Sequence, residues 1–209
     1  MPLELWLTFV AASTALLLIP GPTILLVLSY TLSQGRRVAV ASATGVALGD
    51  LVAMSASLAG LGAVVLASAM AFTVLKWIGA AYLIWLGVKL IRSAPSQGLE
   101  APDTTAAVSA RGVFWHAAAV TALNPKSIAF FIAFVPQFIT LEAALLPQFI
   151  ILVATFVGLA AINALAYALL ADHLRATIRR PRVLTWLTRS GGVALIAMGV
   201  MTATLRRAT

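Results

Sequence analysis

Apolar residues along this chain come in long runs separated by short polar stretches. The runs extend from Leu5 to Leu32, Val38 to Ala59, Val64 to Ile91, Val113 to Phe138, Ala144 to Ala171 and Val183 to Leu205. A membrane-crossing helix needs about 20 apolar residues, so the pattern predicts six transmembrane helices. Gln34-Gly35-Arg36-Arg37 separates the first run from the second, and Gly60-Leu61-Gly62 the second from the third. Ser93 to Ala110, with two prolines and mixed polar residues, is the longest polar stretch and reads as a mobile loop.

Composition agrees with this reading. Of 209 residues, 62% are apolar and 10% charged, and the mean hydropathy is +1.04. Soluble domains are about half apolar and about a quarter charged, so a cytosolic globular protein and a disordered one are both excluded. The expected fold is an all-α integral membrane protein forming a single domain. The first stretch, Met1 to Ile19, carries Glu4 where a secretory leader has Lys or Arg, and it reads as a retained first helix. The absence of cysteine excludes disulfides, thiolate metal sites and thiol catalysis.

The net charge of +8 would point to nucleic acid in a soluble protein. Here the basic residues lie at the ends of apolar runs, where they report topology. Arg36, Arg37, Lys89, Arg92, Arg111, Arg175, Arg179, Arg180, Arg182 and Arg189 flank three connections that share a side if there are six helices, against only Arg206 and Arg207 opposite. Ten against two makes the first side cytoplasmic and places both termini outside, periplasmic in a bacterium.

The two halves of the chain are weakly alike. Gly79 to Val88 aligns with Gly191 to Val200 at five of ten positions, including both glycines. At nearly the same offset, Gly45 to Asp50 faces Gly158 to Asn163, and Pro20-Gly21-Pro22 corresponds loosely to Asn124-Pro125-Lys126. Residues 1–92 would form one three-helix repeat, 93–111 a cytoplasmic linker and 112–209 a second repeat. Three helices per half means that the second enters from the opposite side. Inverted repeats are typical of secondary transporters, in which paired interrupted helices mark the substrate site.

Pro20 lies about 22 Å into its span at the helical rise. Two prolines around Gly21 remove backbone donors, so the freed carbonyls should line protein or a wet cavity; the alternative is a packing kink. Pro125 can open a new helix whose exposed N–H groups and positive dipole end, reinforced by Lys126, suit an anionic group such as an amino-acid carboxylate. The alternative for Lys126 is snorkelling to an interface. Asp50 lies about 20 Å from the Arg37 end of its helix; a carboxylate so deep should pair with a cation or titrate. Lys76 and Lys126 are its candidate ion-pair partners. Gly45 and Gly49 fit small-residue helix contact better than substrate contact. His116 and His173 read as interfacial or capping residues, with no metal site, and Trp6, Trp77, Trp115 and Trp186 as an aromatic belt.

Pro20-Gly21-Pro22, Gly45-Val46-Ala47-Leu48-Gly49-Asp50, the stretch from Lys76 to Gly87, and Asn124-Pro125-Lys126, in this order and spacing, resemble the LysE/RhtB family of amino-acid exporters over nearly the whole chain. The resemblance implies an inner-membrane protein that expels amino acids against proton entry, without a cofactor, and often as a homodimer. Pro20, Gly21, Pro22, Asn124, Pro125, Lys126 and Asn163 are the candidate substrate-binding residues, and Asp50 the proton-coupling one. With only Asp50 as a deep carboxylate, a neutral substrate of the homoserine, threonine or leucine type fits better than lysine. Export of inorganic cations or another small solute is the alternative, though one carboxylate without cysteine provides few ligands. An intramembrane enzyme is a third reading, resting only on Ser127 beside Lys126.

Overall fold

The computed structural model describes residues 1–19, 21–34, 37–92, 109–140, 143–171 and 181–204. Of the loop expected from Ser93 to Ala110, 93–108 lie outside these residues, as do Pro20, His173 and the C-terminal arginines, while Ala110 already begins a helix. The helices are α1 (Leu3–Leu18), α2 (Pro22–Gln34), α3 (Arg37–Ala67), α4 (Ala69–Arg92), α5 (Ala110–Ala122), α6 (Pro125–Ala133), α7 (Leu145–Leu169) and α8 (Pro181–Thr204), with a 3₁₀ turn over Val135–Phe138. No strand occurs among the described residues, and the all-α membrane class holds.

Three helical stretches, Val38–Val64, Thr73–Arg92 and Leu145–Leu169, are long and apolar enough to cross a membrane. Counting each bent pair as one span gives up to five. Among the described residues the count is thus three to five against the six expected, with α8 the helix in question. The first apolar run is split into α1 and α2, bent by 54°, and the fourth into α5 and α6, bent by 45°. Both breaks fall at the prolines.

The boundary expected at Gly60-Leu61-Gly62 is corrected: α3 runs through it to Ala67. Glycine costs a helix only about 1 kcal/mol, and in lipid the backbone keeps its internal hydrogen bonds. The separation falls at Ser68, whose Oγ accepts the Ala71 N–H at 3.2 Å and so caps α4.

Small residues set the closest helix contacts. A Cβ at Gly49 would lie 2.5 Å from the Ala118 carbonyl oxygen and 2.6 Å from Thr121 Cβ, and Gly45 meets Phe114 and Ala117 with equally little room. α3 and α5 therefore touch backbone to backbone, the packing use expected of these glycines. Along α4 and α8, Gly87 lies against Gly192 and Ile196, and Gly199 against Ala80 and Ile84, which makes this pair antiparallel. Phe9, Phe130, Phe131, Phe134, Phe138 and Phe156 fill the interior beside α6, all but inaccessible, with ring centroids 4.8–6.0 Å apart.

Candidate functional site

The two helix breaks meet at one small cavity within the bundle, about 30 Å³ in volume. That is room for water and not for a solute of several heavy atoms.

The end of α1 forms one wall. The last four carbonyls of any α-helix lack partners within it, and in an apolar medium leaving them unpaired is costly. Here the Ile19 N–H reaches back to the Leu16 carbonyl oxygen at 3.3 Å, and side chains from the second half of the chain donate to all four. The Lys126 ammonium donates to the carbonyl oxygens of Leu16 at 3.0 Å and Ile19 at 2.9 Å. Asn163 Nδ2 donates to that of Leu17 at 3.0 Å, and the Tyr167 hydroxyl to that of Leu18 at 3.0 Å. Asn163 and Tyr167 are four residues apart on α7 and so share a face. Gly21 lies beside the lysine, where a Cβ would stand at ordinary contact distance, 3.5 Å from Nζ.

The start of α6 forms the facing wall. Asn124 caps it, Oδ1 accepting the Lys126 backbone N–H at 3.1 Å, and Pro125 takes the first helical position, where its missing N–H costs nothing. Asn124 Nδ2 donates to Thr23 Oγ1 at 3.1 Å, a hydroxyl that Thr121 also approaches at 3.4 Å. The second break is thereby tied to the first turn of α2.

Asp50 completes the cavity. The backbone contact of Gly49 with α5 carries it level with the Asn124 break. It is 2% exposed, and Oδ1 has no hydrogen-bond partner among the described residues. Lys126 is the cation whose charge bears on it.

Of the residues singled out in the sequence, Gly21, Asp50, Asn124, Lys126 and Asn163 line this one cavity. Pro22 and Pro125 instead start α2 and α6, and Pro20 is outside the described residues. Lys76 is half-buried on α4, has an interaction of its own and is not part of the cavity wall. Ser127, weighed in the sequence only for the enzyme reading, lines it as well, as does Thr23; Thr23 and Tyr167 were missed. Tyr167 had a signal in its position one turn after Asn163; Thr23 had one in following a helix-opening proline.

Chemically, the site sets acceptors beside donors. Backbone carbonyls and a carboxylate suit a cation with N–H groups, while the lysine and the N-terminus of a nine-residue helix suit an anion. Both ends of a zwitterion are provided for.

Comparison with known proteins gives the class. The model of the LysE type translocator family matches residues 14–205, and the chain belongs to that family. A homoserine/homoserine lactone efflux protein of Salmonella typhimurium is 35% identical over 209 residues, covering 100% of both chains. A Vibrio cholerae protein described as an uncharacterized membrane protein is 35% identical over 207 residues, 99% of this chain and 100% of its own. A leucine efflux protein of Klebsiella pneumoniae is 30% identical over 134 residues, 64% of this chain and 63% of its own. No solved structure matches significantly. The chain is a multi-pass membrane protein of a translocator family.

Proposed function

We propose that this protein is a carrier, not an enzyme, that exports neutral amino acids of the homoserine, threonine or leucine type across the bacterial inner membrane in exchange for protons. The observation that carries this reading is the convergence of both helix breaks, Asp50 and Lys126 on one cavity. The efflux activities in the names of the relatives support the substrate class.

The unpartnered Asp50 oxygen supports proton antiport. A buried carboxylate oxygen without a partner is costly, and either a proton or a substrate cation relieves it. One oxygen does not serve both at once, so proton entry and substrate exit alternate. Alternating access would come from one repeat rocking against the other.

The α4–α8 contact supports the inverted repeat. At the offset that aligns Gly79 with Gly191, Gly87 corresponds to Gly199, Gly192 to Ala80 and Ile196 to Ile84. The contact of Gly87 with Gly192 and Ile196 is thus mirrored by that of Gly199 with Ala80 and Ile84, the pattern a local two-fold axis produces. Asp50 and Asn163, the matched pair of α3 and α7, share the cavity wall.

Counterflow in vesicles of purified protein tests the function. Vesicles preloaded with homoserine, threonine or leucine should take up the labelled form of at least one faster than empty vesicles. No exchange of any of the three would overturn the exporter reading. The orientation is tested separately by single cysteines at Ser96, Thr140 and Thr209, expected to label from the cytoplasm, the outside and the outside. A cytoplasmic Thr209 would overturn the inverted repeat.

A further inference from the structure

We infer that the carbonyl oxygens of Leu16 and Ile19, together with Asp50 Oδ1, form a subsite for the primary ammonium group of the substrate, and that Lys126 is a resident cation which the substrate displaces. This rests on the amino-acid exporter reading above, and it names which atoms take the amine.

The argument starts from donor counting. A primary ammonium has three N–H donors. Lys126 places its ammonium on the Leu16 and Ile19 carbonyls, at 3.0 and 2.9 Å, while Asp50 Oδ1, on the same cavity wall, lacks a hydrogen-bond partner among the described residues. Two carbonyls and one carboxylate oxygen make three acceptors, the number a substrate ammonium can fill. The Leu17 and Leu18 carbonyls do not belong to the subsite, because the neutral donors of Asn163 and Tyr167 hold them. These two are positioning residues: they fix the end of α1 while the lysine leaves.

The displaced lysine then has a partner. In an α-amino acid the carboxylate is attached to the carbon that bears the amine, so a substrate whose ammonium sits on the α1 carbonyls brings its carboxylate next to the released Nζ and the N-terminus of α6. The exchange swaps one ammonium for another on the carbonyls and adds an ion pair. It leaves no buried charge unpaired, the condition under which burial of charge is tolerated. An amine without a carboxylate would have to expel Lys126 and offer it nothing. The subsite thereby selects compounds carrying both groups on one carbon.

Chemical rescue tests the subsite without transport. Lys126→Ala removes the resident cation and leaves the two carbonyls and Asp50. Thermal stability of the purified variant in detergent should rise with methylammonium, at concentrations about 10-fold or more below those at which tetramethylammonium acts, since the latter carries the charge but has no N–H donor for a charge-assisted hydrogen bond. If the variant does not survive purification alone, its yield with each cation present is the same readout. Equal rescue by both cations, or rescue by neither, overturns the subsite. On the unaltered chain, N,N,N-trimethylhomoserine should compete for homoserine exchange about 10-fold more weakly than homoserine itself, and equal competition overturns the proposal. Absence of any amino-acid exchange would overturn the exporter reading, whereas the methylammonium result is read independently of transport.

Discussion

The two helix breaks differ in what holds them. The break after Leu123 is closed largely from within its own segment: Asn124 caps the helix it precedes, Pro125 opens it, and the backbone N–H of Lys126 is satisfied two residues back. The break after α1 depends on the other half of the chain, whose Lys126, Asn163 and Tyr167 take all four terminal carbonyls. Around them the packing differs in the same sense. Gly45 on α3 is pressed against α5, whereas Gly158 on α7, aligned with it in sequence, has nothing within 4 Å of a Cβ position. The lesson is that one break is a frame closed by its own residues, while the other is held from afar by two positioning side chains and one replaceable cation, Lys126, and a ligand competes where the contact is replaceable.

The largest expected effect is at Asp50, opposite the replaceable contacts. Asp50→Asn keeps the shape and one acceptor oxygen but removes titration. Accumulation of substrate driven by an imposed pH gradient should fall at least about 100-fold, equivalent to about 2.8 kcal/mol, while exchange without a gradient persists at weaker half-saturation. A variant that still concentrates substrate would move the coupling elsewhere and leave the first break a purely structural joint.

Next in size is Asn124→Ala in the fixed frame. It removes the cap of α6 and leaves Thr23 without its donor, costing about 1 kcal/mol for the cap and a similar amount for the buried hydrogen bond. Detergent melting temperature should drop clearly, and the relative affinities of homoserine and an amine lacking its carboxylate should hardly change. A change in that ratio without loss of stability would reverse the roles assigned to the two breaks.

Much of this contrast is legible in the residues, and its limits have physical causes. Prolines forbid a continuous backbone ladder, so both breaks are readable; a lone aspartate deep in an apolar run must do something, and of its two candidate lysine partners Lys126, beside a break, lines the cavity with it while Lys76 does not. Asn163 was found only through its match to Asp50. Gly60 and Gly62 misled because a glycine pair weakens a helix without ending it in lipid, while Ser68, an ordinary cap between two apolar runs, carries the separation. The four α1 carbonyls had no signal of their own, since acceptors of the backbone are the same in every residue. What marks them is the donors they meet, and those come from more than 100 positions away in the chain.

Tyr167→Phe offers the smallest and finest test. It deletes one hydroxyl that donates to Leu18 at the end of α1 and keeps the ring, so the loss should be about 1 kcal/mol, the net worth of one hydrogen bond. If the α1 end is the replaceable side of the site, that loss should appear as weaker retention of substrate, about 5-fold in exchange half-saturation at 1 kcal/mol, with melting temperature nearly unchanged. If instead both breaks are equally rigid, the same loss should appear in melting temperature and leave half-saturation alone. Asn163→Ala, one turn earlier on the same face of α7, should shift the same quantity in the same direction, because it frees the neighbouring Leu17 carbonyl. Opposite shifts from the two variants would mean that Asn163 and Tyr167 do not act together on the end of α1.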